Sequence, residues 1–84
     1  MRHARAEALD RLEPLLAELR QLPGVKETAR GVFYRRGRAY LHFHEDAAGL
    51  FADLRATDAS DFTRYDVTAE AGRAALLSAA RRGL

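Results

Sequence analysis

The sequence predicts an α+β domain: an N-terminal helix, a four-stranded antiparallel meander and a C-terminal helix (α-β-β-β-β-α), with both helices on one face of the sheet. Three observations carry this reading. Leu9, Leu12, Leu16 and Leu19 recur at 3-4-3 spacing, one face of a helical period. Residues 38–44 alternate, with Ala39, Leu41 and Phe43 on one side and Arg38, Tyr40, His42 and His44 on the other. Leu76, Leu77 and Ala80 then form the apolar stripe of a closing helix. A sheet with one apolar face must cover it, and two helices suffice to do so.

The first helix is expected over residues 4–22, where Leu15 and Leu22 widen the leucine stripe. Pro14 interrupts its hydrogen bonding. The stripe keeps its phase across the proline, which favours one bent helix over a second helix starting at Pro14. Pro23-Gly24 is a stop signal. Residues 28–36 and 38–44 are expected to form a hairpin. A three-residue loop of Arg35, Arg36 and Gly37, with Gly37 left-handed, pairs Tyr34 with Arg38 and turns Phe33 inward. A two-residue loop instead forces Arg36 to positive φ and buries Tyr34.

Residues 46–55 fit either a short helix capped by Asp46 or a strand over 50–55. Register favours the strand. With Asp46–Gly49 as a hairpin loop, Phe43 faces Ala52 and Leu41 faces Leu54, so apolar meets apolar. His42 then faces Asp53, Tyr40 faces Arg55 and His44 faces Phe51. Residues 56–60 read as a loop. Residues 61–67 form the last strand, with Thr63, Tyr65 and Val67 inward and Phe62, Arg64 and Asp66 outward. Thr68 is the expected cap of a helix from Ala69 to about Arg82, with Glu70 and Arg81–Arg82 suitably placed for its dipole.

The chain has 84 residues, enough for a single domain over 1–84. It lacks cysteine, which excludes disulfides and thiolate metal sites. No apolar run is long enough to span a membrane, and the charged N-terminus does not read as a secretory signal, so a cytoplasmic location is expected. The net charge of +2 conceals an imbalance: residues 26–44 net +4 before histidine is counted, and residues 45–70 net −5. Thirteen arginines against one lysine suit a compositional bias as well as a function.

The candidate site residues lie on the outward side of the sheet. Arg36, Arg38, Tyr40, His42, His44, Phe51 and Arg55 mix rings with cations, a composition common at protein interfaces. The opposite charges of neighbouring segments also suit a second copy across a two-fold axis. A protein partner or homodimer on this open face is therefore the expected function. His42 and His44 share one side of a strand, with Asp53 opposite. This set can hold a metal but shows no third or fourth ligand beyond them. No cofactor is expected. Neither a nucleophile elbow nor a phosphate-cradling glycine loop is present, so catalysis is not expected.

Two resemblances touch the same stretch. Arg36-Gly37-Arg38-Ala39-Tyr40-Leu41-His42-Phe43 resembles the octamer of RNA-recognition motifs except at Arg38, where that motif places a stacking ring. It implies single-stranded nucleic-acid binding by the Arg/Tyr/His face. The helix-first order departs from that family's fold, and Asp53 and Asp66 on the face oppose a phosphate backbone. Gly37-Arg38 followed by His42-Phe43-His44, a turn, two strands and a closing helix resembles small bacterial α+β proteins of the "luciferase domain" type. That likeness covers about half of the chain. It implies the meander but assigns no activity.

Overall fold

In a computed structural model, residues 2–56 and 59–83 are described. The elements in chain order are β1 (Arg2–His3), α1 (Ala6–Arg11), α2 (Glu13–Arg20), β2 (Val25–Ala29), β3 (Val32–Arg35), β4 (Arg38–Asp46), β5 (Gly49–Leu54), β6 (Thr63–Asp66) and α3 (Glu70–Arg82). The fold is α+β with an antiparallel sheet and a C-terminal helix. The sheet has six strands rather than four. Five form the meander β2-β3-β4-β5-β6, and β1 pairs with the far end of β4. The loop expected over 56–60 falls partly on residues 57–58, outside the described residues.

The leucine stripe builds the core as its spacing predicts. Leu9, Leu12, Leu15, Leu16, Leu19 and Leu22 are all buried, together with Phe33, Leu41, Phe43, Leu50, Ala52, Val67, Leu76 and Ala80. The single bent helix is corrected to two. Leu12 leaves the helical region (φ −95°, ψ 1°), and Pro14 stands in the first turn of α2. A proline there lacks only an N–H that would have had no helical acceptor. The stripe keeps its phase because the break costs no residue: Leu12, at the joint, is fully buried.

The strand expected over 28–36 is also two strands. The chain turns at Arg30-Gly31, with Gly31 at φ 78°, so β2 and β3 form a hairpin of their own. Most of β2 is exposed, which leaves no clean alternation to read in the sequence.

The β3–β4 turn is the tighter alternative. Arg35 pairs with Arg38, so the loop is Arg36-Gly37 alone, at φ 54° and 75°. Yet Phe33 is 1% exposed and Tyr34 37%, as the three-residue loop predicts. A β-bulge reconciles the two. Phe33 faces Leu41 and Tyr34 faces Ala39, so Tyr40 is an extra residue on β4. It is therefore not on the outer face. Tyr40 is 3% exposed, and its hydroxyl donates to the Ala80 carbonyl of α3 at 3.2 Å. Burial raises its pKa.

The β4–β5 register is the one expected, from Leu41 opposite Leu54 to His44 opposite Phe51. The strands run on to Asp46 opposite Gly49, which shortens the loop to Ala47-Ala48. Segment 50–55 is therefore strand, not helix, through Leu54. The next amide, of Arg55, donates to the Tyr40 carbonyl at 2.8 Å. The last strand is shorter than 61–67, and Thr63 is exposed rather than inward. Tyr65 packs partly against the core and Val67 is fully buried. Thr68 does not cap α3, whose N-cap is Ala69 without a side-chain bond. The Thr68 hydroxyl instead accepts from the Leu50 amide at 2.9 Å and donates to the Leu50 carbonyl, joining the root of the helix to β5.

Charged groups fasten the helices to the β2–β3 turn. Arg20 bonds both Glu13 and Glu27, and Arg30 bonds Asp10 and Glu13 at 2.8 Å each. Glu27 also accepts from the Gly31 amide at 2.9 Å. Bonds from Arg20 and Arg30 hold the Glu13 carboxyl down at about 2. Burial pushes Glu27 upward, but the Arg20 and Gly31 bonds outweigh it and its pKa is lowered as well.

These features have two measurable consequences. Truncating Tyr40 to Ala is expected to cost about 3–5 kcal/mol in urea denaturation, as for other buried rings, and Tyr40→Phe about 1 kcal/mol. An outward-facing Tyr40 would instead leave stability within about 0.5 kcal/mol for either change. The second consequence concerns acid. A carboxyl whose folded pKa lies below its unfolded value stabilises fully above the unfolded value, here 4.5, and ceases to as pH falls toward the folded one. The melting temperature should therefore drop between pH 4.5 and about 2, and Glu13→Gln should flatten that slope. An unchanged slope in the variant would remove Glu13 from the account.

Candidate functional site

The outer face of the sheet is not covered by either long helix, and side chains from four segments converge on it. The β1–β4 ladder sets His3 opposite His44, β4–β5 sets His42 opposite Asp53, and β5–β6 sets Asp53 opposite Arg64. His42 and His44, two apart on one strand, point the same way. His3 arrives from the N-terminus, where the Ala4 amide donates to the Phe43 carbonyl at 3.0 Å and the Arg5 amide to the Glu45 carboxylate at 2.6 Å.

The three imidazoles form one cluster. One ring nitrogen from each of His3, His42 and His44 lies within 4.8 Å of the other two. Ring centroids are 4.7 Å apart for His42 and His44, 5.1 Å for His3 and His44, and 5.9 Å for His3 and His42. His42 Nδ1 and His44 Nε2 are 2.7 Å apart and share a hydrogen bond. His44 Nε2 is also 3.2 Å from Asp53 Oδ2. Arg64 grips Asp53 with both arms of its guanidinium, Nε to Oδ1 and Nη2 to Oδ2, each at 2.7 Å. The ring of Phe62 closes one side, 4.8 Å from the His42 centroid, and the Arg55 guanidinium lies over that ring at 4.7 Å.

Burial and charge act in opposite directions here. Burial lowers the pKa of His42, and neighbouring His44 lowers it further, against the pull of Asp53. Burial likewise lowers that of His44, again opposed by Asp53. Asp53 itself is held below the usual carboxylate range by the Arg64 bonds, which outweigh its own burial. It is the one charged residue among the described residues that is buried, at 8% exposure. A buried carboxylate without such a partner would be costly, so Arg64 is what permits Asp53 to stand in the sheet.

Several nitrogen donors beside a carboxylate, and no sulfur, form a ligand set for zinc or another divalent transition metal. At Zn–N distances of about 2.0–2.1 Å, two donors of a tetrahedral site stand roughly 3.3–3.4 Å apart. The His44–Asp53 separation is close to that value. The His42–His44 pair, 2.7 Å apart, would have to open by roughly 0.6–0.7 Å and give up the proton it shares. A carboxylate already gripped by an arginine is best suited to a fourth or outer position.

The sequence-predicted site residues separate into two groups. His42, His44 and Asp53 meet as expected, and Phe51 flanks them opposite His44. Arg36 and Arg38 are exposed at the hairpin end of the sheet. Arg55 turns toward that end, bonding the Ala39 carbonyl through Nε at 3.0 Å. Tyr40, expected among them, is in the core. His3 is the residue that sequence reasoning missed. A two-residue strand has no periodicity, and the only available signal was the imidazole itself. Comparison with protein families, with curated proteins and with solved structures finds no match for this chain.

Proposed function

We propose that this protein is a small non-catalytic binding domain that holds a divalent transition metal on the open face of its sheet. His3, His42 and His44 are the ligands in this reading, and Asp53 lies beside them. The convergence of a third imidazole, from a different strand, on the two of β4 supports it. Two histidines on one strand are equally well explained as a polar rung facing an aspartate. The separate β1–β4 pairing adds a third nitrogen donor opposite His44, so three imidazoles rather than two meet at one point. Arg64 tunes the site by competing, as a fixed cation, for the same carboxylate.

Calorimetric titration with zinc or nickel checks this. One equivalent should bind to the wild-type chain. Affinity should fall by more than the about 10–100-fold typical of outer-shell changes in His42→Ala and His44→Ala, and also in His3→Ala, whose exposed side chain leaves the fold intact. Arg64→Ala, which removes the competing cation, should bind more tightly. Affinity that is unchanged across the three histidine variants would rule the site out.

A second reading rests on a separate observation. Tyr34 and Phe62 are exposed on this face and Phe51 is half-buried, with no helix above them. A second copy of the chain suits such a surface, because the basic β3–β4 hairpin of one copy and the acidic segment after it in the other are complementary in charge. Analytical ultracentrifugation should then show a mass twice that of the chain, with Phe62→Ser shifting it toward the monomer. A monomer at high protein concentration, with and without zinc, removes this reading.

A further inference from the structure

A different cluster lies at the hairpin end of β4, away from the histidines. Arg35, Arg36, Arg38 and Arg55 line a concavity together with Ala39, Tyr40 and Ala56. No carboxylate lines it among the described residues. Two of the four guanidinium groups are pinned in place. Arg55 bonds the Ala39 carbonyl, and Arg35 Nη1 bonds the Gly83 carbonyl, at the end of α3, at 2.8 Å. The side chains of Arg36 and Arg38 make no hydrogen bond or ion pair among the described residues. The fixed pair forms a rigid wall, and the other two are left to close on a ligand.

The turn itself adds an independent observation. Arg36 is the only non-glycine described residue at positive φ, at 54°. A two-residue loop with positive φ at both central positions, as here, is the kind in which Asn-Gly is favoured. Gly37 adopts such a φ without strain, whereas an arginine at the first position does not. Local backbone strain kept in a folded chain points to a role for the strained side chain. Nothing in the fold of the hairpin requires a guanidinium at this position.

We propose that this concavity binds a phosphate group, and that Arg36 occupies the turn, against its backbone preference, as a phosphate ligand. Guanidinium groups match the oxygens of a phosphate in paired hydrogen bonds, and several around one concavity neutralise a dianion. Size narrows the class. The concavity holds about 240 Å³, less than the roughly 300–1,000 Å³ of sites that enclose drug-sized ligands. It fits a phosphate or a phosphate-ester head group, with the remainder of any larger molecule outside. Tyr40, the ring that the RNA-recognition octamer would offer for stacking, is buried, and its hydroxyl is turned to Ala80.

Calorimetric titration with pyrophosphate, at low and at moderate ionic strength, tests the site. Binding to the wild-type chain is expected, weakening as salt rises. Arg38→Ala should lose at least about tenfold in affinity. Arg36→Asn is the discriminating variant: asparagine tolerates the left-handed turn, so the melting temperature should rise while pyrophosphate affinity falls. Lys26→Ala removes the same unit of charge from an exposed strand position outside the site and should change nothing. The site is overturned if pyrophosphate does not bind at low salt, if Arg36→Asn binds as well as wild type, or if Lys26→Ala weakens binding as much as Arg38→Ala. A ten-nucleotide single-stranded RNA forms the second arm. Tighter binding of the RNA, lost in the same arginine variants, identifies the phosphate as that of a nucleic-acid backbone. RNA binding that these variants leave intact overturns the site.

Discussion

The bulge at Tyr40 is the constraint on which the two faces of this sheet depend. A two-residue turn at Arg36-Gly37 fixes Arg35 opposite Arg38. Carried through an unbroken ladder, that register would turn Tyr34 inward and Phe33 out, against the hydrophobic pattern. One extra residue on β4 restores it, because a shift of one position exchanges the faces of a strand. From Leu41 onward the inner face receives Leu41 and Phe43, and the outer face receives His42 and His44. The surplus residue must itself be accommodated. Tyr40 fits because its ring fills the space beneath α3 while its hydroxyl meets the Ala80 carbonyl. The helix packing, the outward histidines and the arginine-lined end of the sheet thus meet at a single residue.

What was legible in the sequence divides along the same line. The leucine stripe could be read because burial on a helix leaves a strict spacing, and all six of its leucines are in the core. The β4–β5 register could be read because only one alignment matches apolar with apolar. The bulge could not, since an inserted residue leaves no mark on a two-residue period until its partner strand is known. The β2 strand was hidden by its exposure, and β1 by its length. For the candidate site, His42, His44 and Asp53 follow from that one legible register. His3 does not, because its place depends on a long-range pairing between the N-terminus and β4. Arg64 was legible as an outward residue of β6, but its grip on Asp53 was not.

Part of the uneven charge is paired within the monomer. Arg64 meets Asp53 inside the acidic segment, Arg2 meets Glu45, and Arg30 of the basic segment meets Asp10 and Glu13 of the helices. Arg20 and Arg30 tie α1 and α2 to the β2–β3 turn through shared carboxylates. Exposed pairs of this kind contribute little individually, and their value lies in fixing which surfaces meet. Arg36 and Arg38 of the hairpin stand apart from this balance among the described residues. A compositional bias accounts for a chain rich in arginine, but it does not place four of them around one concavity that no acidic residue lines among the described residues.

The N-terminal strand has a consequence for how durable the histidine cluster is. Only two residues of β1 join the ladder, followed by the amides of Ala4 and Arg5. A strand so briefly paired opens at a small fraction of the free energy needed to unfold the whole domain. His42 and His44, in the central strand, share the lifetime of the core, whereas His3 shares that of the two-residue β1 pairing. The cluster therefore joins a pair held in the core of the sheet to a third member held by a two-residue pairing. Anything held by all three would draw the first residues of the chain into the cooperative unit and delay their exchange with solvent.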